Sequence, residues 1–176
     1  GDIVYGGQKL PVADNSFNVV TSIDVLEHIP PKERSEFIAD LVRVATDLVI
    51  VSAPFGSKSH LKLEKKLLIS IEKKGKTDHY LKEHVENGIP ELAEVKKLAI
   101  SQKKFEKINF YYSGNIYLSA WLFKIHSSEI PLPIFGRVYY YFKLIFNALV
   151  NIVYYHLAIG SKPTETTNRF YLILSK

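Results

Sequence analysis

The chain has 176 residues, of which 47% are hydrophobic and 23% charged; this fits one globular domain with a real core and excludes an intrinsically disordered segment. With no cysteine it has neither a disulfide framework nor a thiolate zinc site, and a reducing cytoplasm suits it. The formal charge is +5, but the lysines between Lys62 and Lys107 are interleaved with glutamates, which is the pattern of solvated helix faces and argues against a nucleic-acid partner.

Methionine is also absent, and Gly1 runs almost at once into the strand-like Ile3-Val4-Tyr5. The expectation is therefore a fragment whose upstream part is missing. Gly6-Gly7 is a turn signal, because glycine accepts positive φ at no steric cost. Leu10 to Ser16 is a loop, with Pro11 fixing φ and Asp14-Asn15-Ser16 offering side-chain oxygens to local backbone donors. Phe17 to Ile23 is β-branched and almost continuously apolar, which predicts a strand covered on both faces. It ends on Asp24, Glu27 and His28.

From Lys32 to Ala45 the apolar residues Phe37, Ile38, Leu41, Val42 and Val44 recur at helical spacing, with Arg34, Glu36, Asp40 and Arg43 mostly off that stripe. Leu48 to Ala53 is a second buried strand, closed by Pro54 and Gly56. Strand, helix, strand in this order predicts a parallel βαβ unit. Ser59 to Lys74 is helical in pattern with Leu63, Leu67, Leu68 and Ile71 inward. Thr77 to His84 is a polar segment before Gly88-Ile89-Pro90. A helix is predicted to start at Pro90 with Glu91 and Glu94 in its first turn, where the macrodipole favours acids. Phe105 to Tyr112 and Arg169 to Leu174 read as strands.

Between those strands, Val138 to Ile159 carries one formal charge, Lys143, with tyrosines near both ends. It is long enough to cross a bilayer, yet Asn147, Asn151 and His156 interrupt it. Three readings stand open: a transmembrane span, a membrane-surface helix, or a lid or self-association face covered by protein. The whole chain, 1–176, reads as one domain, with 113–166 as an apolar helical insertion or lid.

Polar groups just past a buried strand sit where open α/β sheets bind ligands. Asp24, Glu27 and His28 admit three readings. They are a helix-start turn whose acids complement the dipole, a cofactor-positioning and general-base cluster with His28 as base, or a divalent-metal site. His79, Glu83 and His84 form a second cluster, either a solvated helix start or part of a lid over a substrate pocket. His60 has only its place after Pro54 to recommend it, and His126 and His156 read as structural.

The segments Leu10-Pro11-Val12-Ala13-Asp14-Asn15-Ser16-Phe17-Asn18-Val19-Val20, Asp24-Val25-Leu26-Glu27-His28-Ile29 and Leu41-Val42-Arg43-Val44-Ala45, in this order, resemble class I S-adenosylmethionine-dependent methyltransferases of the small-molecule branch. Tyr80 to Pro90 resembles them more loosely. The resemblance implies an α/β, Rossmann-like methyltransferase sheet, truncated at its N-terminus, with the last two strands antiparallel. It implies S-adenosyl-L-methionine as cofactor, with Ser22, Ile23 and Asp24 near the sulfonium and Gly7, Gln8 and Leu10 near the adenine. A similar Glu-x-x-Glu-His binds a metal in some relatives; here the equivalent is Asp24, Glu27 and His28.

Two departures accompany the likeness: Asn18 stands where the family usually has Asp, and Gly6-Gly7 where it has an acidic residue. The glycine-rich cofactor loop is not in the chain. The implied function is methyl transfer to a small or amphiphilic acceptor, such as a lipid- or glycan-linked intermediate. The alternative is a non-catalytic methyltransferase-like module that binds a partner, dimerises through the apolar insertion or sits on a membrane surface. The expected setting is cytoplasmic, at most peripheral to a membrane.

Overall fold

The computed structural model describes residues 9–126, 133–157 and 159–176, with backbone alone at 126, 133–135, 151 and 153–157. The elements in chain order are β1 (Phe17–Ile23), α1 (Arg34–Val44), β2 (Ala45–Pro54), α2 (Lys58–Glu72), α3 (His79–Asn87), α4 (Leu92–Ser101), β3 (Lys107–Asn115), α5 (Ile116–His126), α6 (Pro133–Leu157) and β4 (Thr167–Ser175). Ile3 to Tyr5, Gly6, Gly7 and Gln8 lie outside the described residues.

The strands form one sheet in the order β1-β2-β4-β3. β1 and β2 are parallel, as the βαβ pattern predicts, with Ser22 opposite Val51 and Ile23 opposite Ser52. β4 inserts between β2 and β3 and runs antiparallel to both. It is thus the one reversed strand of the four, and the last two strands are antiparallel to each other.

The core gathers Phe37, Ile38, Leu41 and Val42 of α1 and Val95 and Ala99 of α4 against Val49, Val51 and Ala53 of β2 and Phe170, Leu172 and Leu174 of β4. α1 starts at Arg34, two residues later than the apolar period suggests, because Pro30 and Pro31 hold a turn before it. Its charged residues do not all face solvent: Arg34 and Asp40 are buried. Arg34 donates to Ile29 O at 3.0 Å, to both oxygens of Glu94 at 3.1 and 2.9 Å, and to Gly88 O. Asp40 accepts from Leu10 N and from Arg43 Nε. These bonds tie the β1–α1 loop to the end of α3 and the start of α4.

β1 departs from the expectation of a strand covered on both faces. Phe17, Val19 and Ile23 are 46, 52 and 59% exposed, while Ser22 is buried. Among the described residues its one hydrogen-bonded neighbour is β2, and Val20, on the same side as Ser22, packs against the core.

Between β3 and β4 lie α5 and α6. α6 exposes Val138, Tyr141, Phe142, Ile145, Leu149 and Ile152, and buries Lys143. No helix among the described residues is long and apolar enough to cross a membrane.

Candidate functional site

β1 ends at Ile23, and the backbone turns sharply at Asp24 with φ of 55°, a left-handed conformation that Asp tolerates better than most residues. Asp24 N still donates to Ser52 O at 2.9 Å, which pins the turn to β2. The Asp24 carboxylate pairs with Arg169 Nη1 at 2.7 Å, and the same guanidinium donates to Ser52 Oγ at 3.1 Å. Asp24 therefore sits on the strand tips, held from β4.

One short turn later, Glu27 is buried, 1% exposed, and its Oε2 has no hydrogen-bond partner. Burial pushes its carboxyl above the ordinary glutamate range, and the charge of Asp24 adds to that shift. His28 turns toward α3, where its Nδ1 meets Glu83 Oε2 at 2.7 Å. Its ring lies 4.8 Å from that of His84 and 5.4 Å from that of Tyr80. One donor atom each from Glu27, His28 and His84 falls within 4.8 Å of the others. The polar segment at Thr77 to His84 is thus mostly a helix, capped at Asp78, whose Oδ1 accepts from Leu81 N at 3.0 Å, and ended by Gly88.

The second cluster divides. Glu83 goes to His28, while His84 turns inward and its Nδ1 meets Glu64 Oε1 at 3.2 Å. His79 is exposed on α3. Burial alone would lower the His84 pKa, but the hydrogen bond and charge of Glu64 outweigh it and hold the imidazole above its ordinary value. Ser22 lies one residue short of the β1 tip with its Oγ buried and unpartnered, Ile23 is exposed there, and Leu10 is tied by its backbone to Asp40 and Arg43.

Sequence reasoning gave His60 no weight beyond its place after Pro54 and did not single out Glu64. Both lie on α2, four residues apart, on the inward stripe with Leu67, Leu68 and Ile71. A carboxylate inside an apolar stripe was the available signal. His60 is buried, bonded through Nδ1 to Phe55 O at 2.9 Å, and its Nε2 is 3.5 Å from Glu64 Oε1. Burial lowers its pKa. Glu64 thus stands between two imidazoles with Oε1, while its buried Oε2 has no partner. Beside this trio is a cavity of about 330 Å³ walled by α2, α3 and α5.

Comparisons with known proteins bear on the fold. Residues 3–48 match a family described as a methyltransferase domain. The phosphoethanolamine N-methyltransferase 2 of Haemonchus contortus, solved with S-adenosyl-L-methionine, superposes with a TM-score of 0.50 at 15% identity over 95% of this chain. The chain has the class I methyltransferase fold. A SAM-dependent methyltransferase from Archaeoglobus fulgidus gives a TM-score of 0.45 at 12% identity over 94% of this chain. The chain spans 35% and 62% of the lengths of these two structures. No curated protein matches it.

In that fold Asp24, Glu27 and His28 stand at the carboxyl ends of the parallel strands, where ligands bind. Ser22, Ile23 and Asp24 together form a strand tip with an unpartnered buried hydroxyl and a tight turn. The described residues include no glycine-rich strand-to-helix turn.

Proposed function

We propose that this chain is part of an S-adenosyl-L-methionine-dependent methyltransferase acting on a small, amphiphilic acceptor. The observation that carries the reading is the cluster of Glu27, His28 and His84 beside the β1 tip, of which His84 also lines the adjoining cavity. When bound, the cofactor supplies an activated methyl group on a sulfonium, so the protein's tasks are positioning and removal of the acceptor's proton. Ser22, Ile23 and Asp24 line the cofactor side, and Leu10, Gly7 and Gln8 belong to its adenine side by resemblance. Arg169 fixes the Asp24 carboxylate in place. His28 is the general base: Glu83, on its Nδ1, orients the ring and steadies the imidazolium formed when Nε2 takes a proton. Tyr80, Glu83 and His84 present α3 as a lid element over the acceptor, with α5 as the opposite wall.

A titration followed by NMR tests this. Adding millimolar S-adenosylhomocysteine is expected to shift the amides of Leu10, Ser22, Ile23 and Asp24 while leaving the α6 amides unmoved. No response at the β1 tip would defeat the reading and favour a non-catalytic module.

A second reading has its own observation. Glu27 Oε2 and His84 Nε2 are both buried without partners, and both His28 and His84 have Nδ1 on a carboxylate. That is the outer arrangement of a carboxylate–histidine–metal site. Glu27, His28 and His84 would hold a divalent ion of the Mn²⁺ or Zn²⁺ type, which would act there as a Lewis acid toward an acceptor oxygen. Asp24, included with Glu27 and His28 on sequence grounds, is engaged by Arg169 instead. Calorimetry with Mn²⁺ and Zn²⁺ on the chain and on Glu27→Gln checks it: saturable binding lost in the variant supports the site, and equal heats oppose it.

A further inference from the structure

α5 and α6 share an outer surface that reverses the usual amphipathic order. At 3.6 residues per turn, the exposed positions of α6 run from Tyr140 through Arg137, Tyr141 and Ile145 to Phe142, an arc of roughly 200°. Arg137 is the one charged residue on that arc, whereas Lys143 is buried, its Nζ 5.0 Å from the centre of the Tyr139 ring. The face continues onto α5. Trp121 meets Phe146 edge-on with ring centres 6.2 Å apart, and Phe146 stacks on Phe142 at 6.0 Å. Tyr117, Trp121 and Lys124 stand at i, i+4 and i+7 on α5, all of them exposed.

Charge is distributed just as unevenly. Sixteen of the 18 acidic residues precede Lys107, and between Lys107 and Thr164 the sequence holds one, Glu129. The described residues of that stretch carry no acid, while Lys124 and Arg137 stand exposed on the shared face. Apolarity alone would admit a second copy of the chain or a lipid surface. Width and charge separate the two. Packing on another helix covers a stripe of about 100°, which leaves half of this arc in water, whereas a lipid layer takes in the half-cylinder. A two-fold dimer sets a patch against itself, so Arg137 and Lys124 would approach their own copies with no acid on the described patch to pair with them. An anionic headgroup layer supplies apolar depth for Tyr141, Ile145, Leu149 and Ile152 and phosphates for the two cations. Tryptophan and tyrosine favour that boundary as well. We infer that the outer face of α5 and α6 docks on an anionic lipid surface, with α6 lying in its plane. This docking stands whether or not the chain transfers methyl groups.

The sequence has one tryptophan, Trp121, and it lies on this face 51% exposed, so its emission reports the docking. On the full chain, vesicles of phosphatidylcholine with phosphatidylglycerol are expected to shift that emission to the blue, to quench it when their acyl chains are brominated, and to carry the chain upward in flotation. Pure phosphatidylcholine is expected to bind at least about tenfold more weakly. Lys124→Gln and Arg137→Gln are each expected to weaken binding to the anionic vesicles by about fivefold and to the neutral ones by less than about twofold. Ile145→Glu is expected to weaken flotation by about tenfold or more, while Ile100→Glu, at a similarly exposed position on α4, changes it by less than about twofold. Unmoved Trp121 emission, equal binding to the two vesicle types, or equal losses in Ile145→Glu and Ile100→Glu would overturn the assignment. So would a concentration-dependent dimer in light scattering that Ile145→Glu breaks, found without flotation, since that gives the face to a second copy. If circular dichroism shows Ile145→Glu unfolded, bromine quenching of Trp121 and the two cation variants decide the matter.

Discussion

Glu27 and His84 respond to pH in ways that follow from what surrounds each. Burial raises the Glu27 carboxyl above its ordinary value of 4.5, so its contribution to stability is fully present below that pH. The contribution is lost as pH rises through the folded value, because ionising the buried group costs the native state. Glu27→Gln is therefore expected to be more stable than the parent at pH 7.5 and no more stable at pH 4. Urea denaturation at the two pH values measures this, and a variant less stable at pH 7.5 would contradict it. His84 has the same sign in a higher window. Its pKa is held above 6.5, so its contribution is complete below 6.5 and fades as pH rises above that. His60, lowered by burial, works oppositely and loses its contribution as pH falls below 6.5. That Glu27 and His28 come together past a strand end was legible from their place after β1. The burial of His60 and Glu64 was not, because it depends on which helix packs over them, and α3 comes twenty residues later.

Helices and strands were largely readable from periodicity. α1, α2 and β2 lie within a few residues of where apolar spacing puts them, since local propensity and burial agree there. α3 read as a polar segment with at most a helix start at His79, because none of its residues is fully buried and nine residues between Asp78 and Gly88 leave little period to see. What locks α3 and α4 to α1 was invisible: Arg34 finds Glu94 sixty positions along, and the charge pattern alone put Arg34 toward solvent. Removing it strands Glu94 and the carbonyls of Ile29, Asn87 and Gly88. Arg34→Ala is expected to cost about 3–5 kcal/mol, read as a fall in denaturation midpoint with little change in slope. A loss below 1 kcal/mol would show the network to be incidental. Gly56 plays the equivalent part for β2. A Cβ there would stand 2.6 Å from Ile89 O and 2.7 Å from Pro90 O, which are backbone atoms. Gly56→Ala is expected to destabilise by about 1–3 kcal/mol, because the 88–91 segment must shift.

At the scale of the molecule, the resemblance implied only that the last two strands are antiparallel; the sheet order β1-β2-β4-β3 was not legible, since no local pattern tells a terminal strand to enter between two earlier ones. The same scale decides how well the chain holds its cofactor. A dinucleotide-like ligand in an α/β sheet is gripped by two walls: backbone amides at a glycine-rich turn, and the tips of the neighbouring strands. Here β1 offers the second wall, and the described residues hold no counterpart of the first. Phe17, Val19 and Ile23 lie exposed along β1, so among the described residues nothing covers this edge to exclude water from a bound ligand. Contacts at Ser22 to Asp24 alone amount to a few hydrogen bonds of about 0.5–1.5 kcal/mol each, set against the loss of translational and rotational freedom on binding. The expected affinity for S-adenosyl-L-methionine is therefore weaker than about 0.1 mM, or roughly −5.5 kcal/mol. Titration calorimetry on this chain measures it directly. Micromolar binding would mean that the strand tips, Arg169-held Asp24 and the Glu27–His28–His84 cluster suffice by themselves, and that the glycine-rich wall contributes little to grip in this protein.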